Sequence, residues 1–260
     1  MDNLELTVLA SEAGRSSGYA LTHGDATVLV DCGPGVIRAL ESHCDPSNVA
    51  AVVITHEHAD HSIDLVGLAF RLRYPTPHTV KIPLYLPEDM IQLVDRLDGL
   101  LGAPTIGQLS RPIRDSFDIR PLDLHNRARV DIAPGLTLTP FSARHAVPSA
   151  ALRFETADAA IAFSSDTGPT ESLIDAAAGV DFFVCEATYG PAQPHLDDSH
   201  GHLTAGQAGE IARRAEVGTL LLSHLSRPSD AAPSVAAAAL HFSGPIHVAT
   251  RNVRFHTNRP

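Results

Sequence analysis

Residues 50–55 (AAVVIT) form an unbroken apolar run, and it empties without a linker into His56-Glu57-His58-Ala59-Asp60-His61. A run with no polar alternation suits a strand covered on both faces, as in sheets with helices packed outside them. Four ligand-type side chains then stand at the strand's carboxyl end, where open α/β sheets hold their sites. Side chains alternate along an extended chain, so His56 and His58 point the same way. Asp60 and His61 swing to a neighbouring point at the start of the next helix. The cluster therefore supplies half-sites for two cations a few ångströms apart.

The rest of the chain supports a layered fold. Strands are expected at 4–10, 18–22 and 26–31, then a loop and helix carrying Val36, Ile37 and Leu40 and closed by Pro46. A helix from Asp60 to about Arg73 stops before Pro75 and Pro77. Next come a strand at Ile82–Leu86 and a helix opened by Pro87, with Glu88 and Asp89 in its first turn. Between Gly102 and Ser116 no period emerges. Further strands are expected at 117–122, 127–132, 136–142, 151–156, 159–163, 181–185, 219–223 and 245–250. Helices are expected at 169–178, from a Thr204 cap with Gln207 at the capping-box position, and near 230–241. Strands followed by mixed βα units, twice over, predict two β-sheets face to face with helices outside. No Pro/Gly/Ser-rich stretch divides the sequence, so residues 1–260 read as one α/β domain.

Two ions need more ligands than one hexapeptide supplies. His145 (FSARHAV), Asp166 (AFSSDTG) and His224 (LLLSH) each come just after a predicted apolar strand, so each can reach the same rim. The order HEHADH, lone His, lone Asp, final His resembles the metallo-β-lactamase superfamily over residues 4 to 256. That resemblance implies an αβ/βα sandwich of two mixed sheets flanked by helices, with two divalent metal ions at one edge. Zinc is the first expectation, with Mn2+ or Fe2+ as alternatives. Carried over by position, His56, His58 and His145 hold one ion, Asp60, His61 and His224 the other, and Asp166 bridges. The second histidine of HEHADH, where flavodiiron relatives carry glutamate, favours hydrolysis over iron redox chemistry. Two divalent ions, two carboxylates and a bridging hydroxide sum to about +1, so the centre draws an anion even to an acidic protein. The ions also bring the pKa of water from about 16 towards about 7.

The segments CEAT (185–188) and GHLT (201–204) resemble the ribonuclease Z-like branch, which pairs an acid with a histidine; the matching positions are Glu186 and His202. Such a pair suits phosphodiester cleavage, because an alkoxide leaves poorly and an imidazolium held by a carboxylate can protonate it. Asp60, His202 and Glu186 are the candidate catalytic residues. Transfer-RNA processing members carry a long arm between the lone His and the bridging Asp, whereas only 20 residues separate His145 from Asp166 here, enough for two strands and a turn. The sequence looks most like the shorter members that hydrolyse cyclic nucleotides and other small phosphodiesters. A lactonase would place tyrosine three residues after the bridging aspartate, and Pro169 stands there. Hydrolysis of a lactone, thioester or sulfate ester, and metal-loaded ligand binding without turnover, are the competing readings. Arg71, Arg73, Tyr74, Tyr189 and Arg227 lie near predicted rim loops as possible substrate contacts; His195 and His200 read as solvated.

Composition narrows the partners. Asp and Glu number 30 against 19 Lys and Arg, giving a net charge of −11, and Lys81 is the single lysine. A nucleic-acid polymer needs clustered basic residues and is not expected; a small anionic molecule is, and a homodimer is an open option. The first ten residues, MDNLELTVLA, form neither a secretory leader nor a membrane span, so a cytoplasmic protein with no membrane partner is expected. Cys32, Cys44 and Cys185 are odd in number and widely spaced, fitting reduced thiols in or near the core.

Overall fold

A computed structural model describes residues 4–192 and 201–257; His195 and His200 lie outside the described residues. The first sheet contains β1 (Leu4–Glu12), β2 (Ser16–His23), β3 (Ala26–Val30), β4 (Ala51–Val53), β5 (Ile82–Pro87), β6 (Phe117–Leu122) and β14 (Arg254–His256). The second contains β7 (Val130–Ala133), β8 (Leu136–Ser142), β9 (Ala150–Glu155), β10 (Ala160–Phe163), β11 (Phe182–Glu186), β12 (Thr219–Ser223) and β13 (Ile246–Val248). Strand order is β14-β1-β2-β3-β4-β5-β6 in one sheet and β13-β12-β11-β10-β9-β8-β7 in the other, and both mix parallel with antiparallel pairs.

The period of two explains how one strand serves two layers. In β3, Val28 and Val30 join the cluster between the sheets while Leu29 joins the outer cluster; β12 does the same with Leu221 inside and Leu220 and Leu222 outside. The outer face of the first sheet is covered by α1 (Val36–Leu40), α3 (Asp64–Arg73), α4 (Ile91–Leu101) and α5 (Pro112–Ser116). That of the second is covered by α6 (Glu171–Ala177), α7 (Ala205–Arg214) and α8 (Ala231–Ala239). The result is the expected four-layer αβ/βα sandwich.

Most elements fall where the sequence places them, and the departures have local causes. The helix expected from Asp60 forms as α2 (Ala59–Ser62) and α3, which meet at Ile63, itself still helical at φ −69° and ψ −31°. Pro87 closes β5 instead of opening a helix; one 3-10 turn at Glu88–Met90 intervenes before α4. The strand expected from 127 begins at Val130, because Arg127 takes a left-handed φ of 53°. The short helix α5 and the edge strand β14 were not expected. The first has five residues behind Pro112, and the second has three residues with exposed Arg254 and His256. Between His145 and Asp166 stands only the β9–β10 hairpin, so the long arm is absent. No helix among the described residues is long and apolar enough to cross a membrane. Cys32 and Cys185 are buried, Cys44 is half-buried, and all three are free thiols.

Candidate metal centre

All seven ligand candidates sit past strand ends on one rim. Beyond β4 come His56 and His58; α2 then carries Asp60 and His61. His145 lies beyond β8, Asp166 beyond β10 and His224 beyond β12. The backbone is bent to achieve this: Asp31, Ser165 and His224 hold φ values of 58°, 55° and 55° in the left-handed region, which non-glycine residues adopt infrequently. Ser62 Oγ donates to the carbonyls of Glu57 and His58, at 3.1 and 3.0 Å, and so ties the histidine loop to α2. Gly33 is required here, because a Cβ would lie 1.9 Å from the Asp60 carbonyl oxygen.

Two ligand groups result. His56 Nε2 and His145 Nε2 each lie 3.1 Å from His58 Nδ1, with Asp166 Oδ2 at 3.8 Å from His56 and 4.0 Å from His145. In the second group His61 Nε2 and His224 Nε2 are 3.2 Å apart, and Asp60 Oδ2 lies 3.4 Å from His224 and 3.9 Å from His61. Asp166 Oδ1 lies 3.4 Å from His61 Nε2, so its two oxygens face the two groups. The carboxyls of Asp60 and Asp166 are held below the usual range: burial opposes their charge, but the adjoining His224 and His61 outweigh it. Burial pushes the His56 and His145 rings towards the neutral form, whereas at His61 burial is overcome by Asp166 and Asp31 and the pKa is raised.

Outside the ligands, the hydrogen bonds decide which ring nitrogen carries each proton. Asp31 Oδ2 accepts from His61 Nδ1 at 2.7 Å, and the Gly201 carbonyl accepts from His145 Nδ1 at 3.0 Å. Thr55 Oγ1 donates to Asp31 Oδ2 at 3.1 Å, so it accepts from His56 Nδ1, also at 3.1 Å. Thr188 Oγ1 likewise donates to Glu186 Oε2 at 2.6 Å and accepts from His224 Nδ1 at 3.0 Å. Each of these four imidazoles thus has an acceptor at Nδ1, although His224 Nδ1 also lies 3.4 Å from Asp166 Oδ1, and this arrangement leaves Nε2 as the nitrogen a metal ion would take. Ring nitrogens and carboxylate oxygens gathered this closely fit divalent cations. Asp31 was missed from the sequence, although it follows β3 as the ligands follow their strands. Thr188 stands in the CEAT segment but drew no attention, since one threonine carries no signal without its neighbours.

Glu186 is buried and accepts five hydrogen bonds, from the Thr167, Thr188 and Leu203 amides, the Thr188 hydroxyl, and His202 Nδ1 at 2.8 Å. Burial works against charge on His202, but its bond to Glu186 and the Glu186 charge raise the pKa, aided by Asp166 and Asp60. An open cavity of about 370 Å3 is lined by His58, Asp60, Asp166, His202 and His224, with Thr188 and Gly14 at its edge. Gly14 N donates to Asp60 Oδ2 at 2.9 Å. Of the rim candidates, only Tyr189 reaches the centre, its ring edge-on to His202 at 5.7 Å. Arg71 faces Glu41 and Asp45, Arg73 bonds to the Gln108 and His78 carbonyls, and Tyr74 lines a separate hollow with Phe70 and Ile106. Arg227 borders another groove.

The architecture matches that of the metallo-β-lactamase fold protein YhfI from Bacillus subtilis, with a TM-score of 0.84 at 23% identity over 98% of this chain and 100% of that one. A family model described as the beta-lactamase superfamily domain matches residues 26–225. The chain belongs to the metallo-β-lactamase superfamily. Among superfamily members, ribonuclease Z of Nocardia farcinica is 30% identical over 305 residues, covering 96% of each chain. An uncharacterized protein of Mycobacterium tuberculosis is 35% identical over 251 residues, covering 94% of this chain and 86% of its own. Membership makes this a metal-dependent hydrolase by family, and it fits the ribonuclease Z-like branch.

Proposed function

We propose that this chain is a phosphodiesterase for a small anionic substrate, such as a cyclic nucleotide. His56, His58 and His145 would hold one divalent ion, Asp60, His61 and His224 a second, and Asp166 would lie between them; the imidazole-rich donor set favours zinc. Bound there, the ions would supply activated water and stabilise charge on the attacked phosphorus group.

The observation that carries the reading is the His202–Glu186 pair at 2.8 Å beside the open cavity. His202 Nδ1 is committed to Glu186, which leaves Nε2 to face the substrate. When the phosphorus–oxygen bond to the leaving alkoxide breaks, Nε2–H gives that oxygen its proton, and the buried Glu186 carboxylate keeps the ring oriented and favours its charged form beforehand. An ester with a good leaving group needs no such donor, so the pair speaks for an alkoxide substrate. The relation to a ribonuclease Z favours a phosphodiester, and the absence of the arm and the net charge of −11 favour a small one over an RNA chain. The test is turnover of bis(p-nitrophenyl) phosphate and of 3′,5′-cyclic AMP with and without chelator. Chelator-sensitive hydrolysis of both is expected, and no turnover of either by fully metallated protein overturns the reading.

A further inference from the structure

A second cavity, a groove of about 640 Å3, lies beside the metal centre but behind a wall. Glu12 and Leu225 line the groove, Ala13 and Gly14 line the metal cavity, and Ser226 borders both. The wall is a backbone pairing: Glu12 bridges Leu225, and Ala13 N donates to the Leu225 carbonyl at 3.3 Å.

The groove's lining runs against the charge of the protein. In a chain of net charge −11, Arg15, Arg38, Arg227 and Arg251 converge on it, against Glu12 as its one acidic lining residue. Arg15 pairs with Glu12 and Arg38 with Glu41, both as exposed contacts at 3.1 and 3.0 Å, which are weak and readily exchanged for a ligand. Arg227 and Arg251 have no acidic partner among the described residues. Below the arginines the floor is apolar, formed by Leu9, Leu225, Val248 and Ala249. A cationic rim over an apolar floor suits an anion carried on a flat apolar body, with guanidinium forks matching phosphate oxygens.

We propose that this groove is a second ligand site, taking an organic phosphate of the nucleotide class independently of the metal centre. The inference does not depend on the phosphodiesterase reading, because the groove contains none of the ligand candidates.

The probe is the fluorescent nucleotide mant-ADP, titrated into the full chain both metal-loaded and chelator-treated. Saturable binding that survives chelation is expected, displaced by ADP far better than by inorganic phosphate. The R227Q/R251Q double variant should bind at least about tenfold more weakly, since two charged hydrogen bonds are lost, while R129A should bind normally. Both changes are at exposed positions, circular dichroism checks the fold, and R227K/R251K should recover part of the affinity. No saturable binding at millimolar probe, loss of binding on chelation, unchanged affinity in the double variant, or equal displacement by inorganic phosphate would each overturn the proposal.

Discussion

Replacing Thr188 by valine keeps the side chain's shape and removes one hydroxyl that two partners share. Glu186 Oε2 loses a donor at 2.6 Å and His224 Nδ1 loses its acceptor at 3.0 Å, both in a buried setting. A hydrogen bond to a charged group contributes about 1.5–3 kcal/mol, and an unsatisfied buried donor costs about 1–3 kcal/mol. Glu186 keeps four other donors, so the larger effect falls on His224, whose ring is no longer fixed with Nε2 inwards. Losses of such outer partners weaken metal binding by about 10–100-fold, or about 1.4–2.7 kcal/mol. The effect is confined to one site, because in the other group His56 and His145 are oriented by Thr55 and Gly201 instead. Competition against a graded chelator series should show one ion held as in wild type and one released about 10–100-fold more readily, with T188S restoring both. Equal retention of both ions by T188V would refute the threonine relay and the inward lone pair it fixes on His224.

Three further outcomes follow from the same geometry. H202A should lose about 10²–10⁴-fold in turnover of cyclic AMP yet little with bis(p-nitrophenyl) phosphate, whose leaving group needs no proton; steady-state rates on the two substrates check this, and equal losses contradict it. E186Q keeps the shape of the pair but not its charge, so cyclic AMP hydrolysis should fall while bis(p-nitrophenyl) phosphate turnover is largely kept; unchanged cyclic AMP rates would remove the pair from the mechanism. G33A forces a Cβ to within 1.9 Å of the Asp60 carbonyl, where backbone must move; a stability loss of about 1–3 kcal/mol in urea unfolding and weaker metal retention are expected, and a wild-type midpoint would show that the loop yields freely.

The candidate metal ligands were legible because three of the strands before them announce themselves by unbroken apolar residues: β4 before His56, β10 before Asp166, β12 before His224. Strand ends and ligand chemistry are both local, so sequence carries them. The hydrogen-bonded frame around them was not legible, since Asp31 meets His61 across 30 residues and Gly201 meets His145 across 56. Asp31 and Glu186 play matched parts, each holding one histidine directly and a second through a threonine, and that pattern exists only once both sheets are assembled. The same limit hid the groove: Arg227 was visible as a rim residue, but Arg15, Arg38 and Arg251 come from three other segments that folding gathers.

Elemental analysis of the purified, folded chain after removal of loosely held ions measures the core of this account. Two tightly held divalent ions per chain are predicted, falling to one or fewer when Asp166 is replaced by alanine. Fewer than one ion per chain in the unaltered protein, under conditions where it is folded and supplied with zinc, would contradict it.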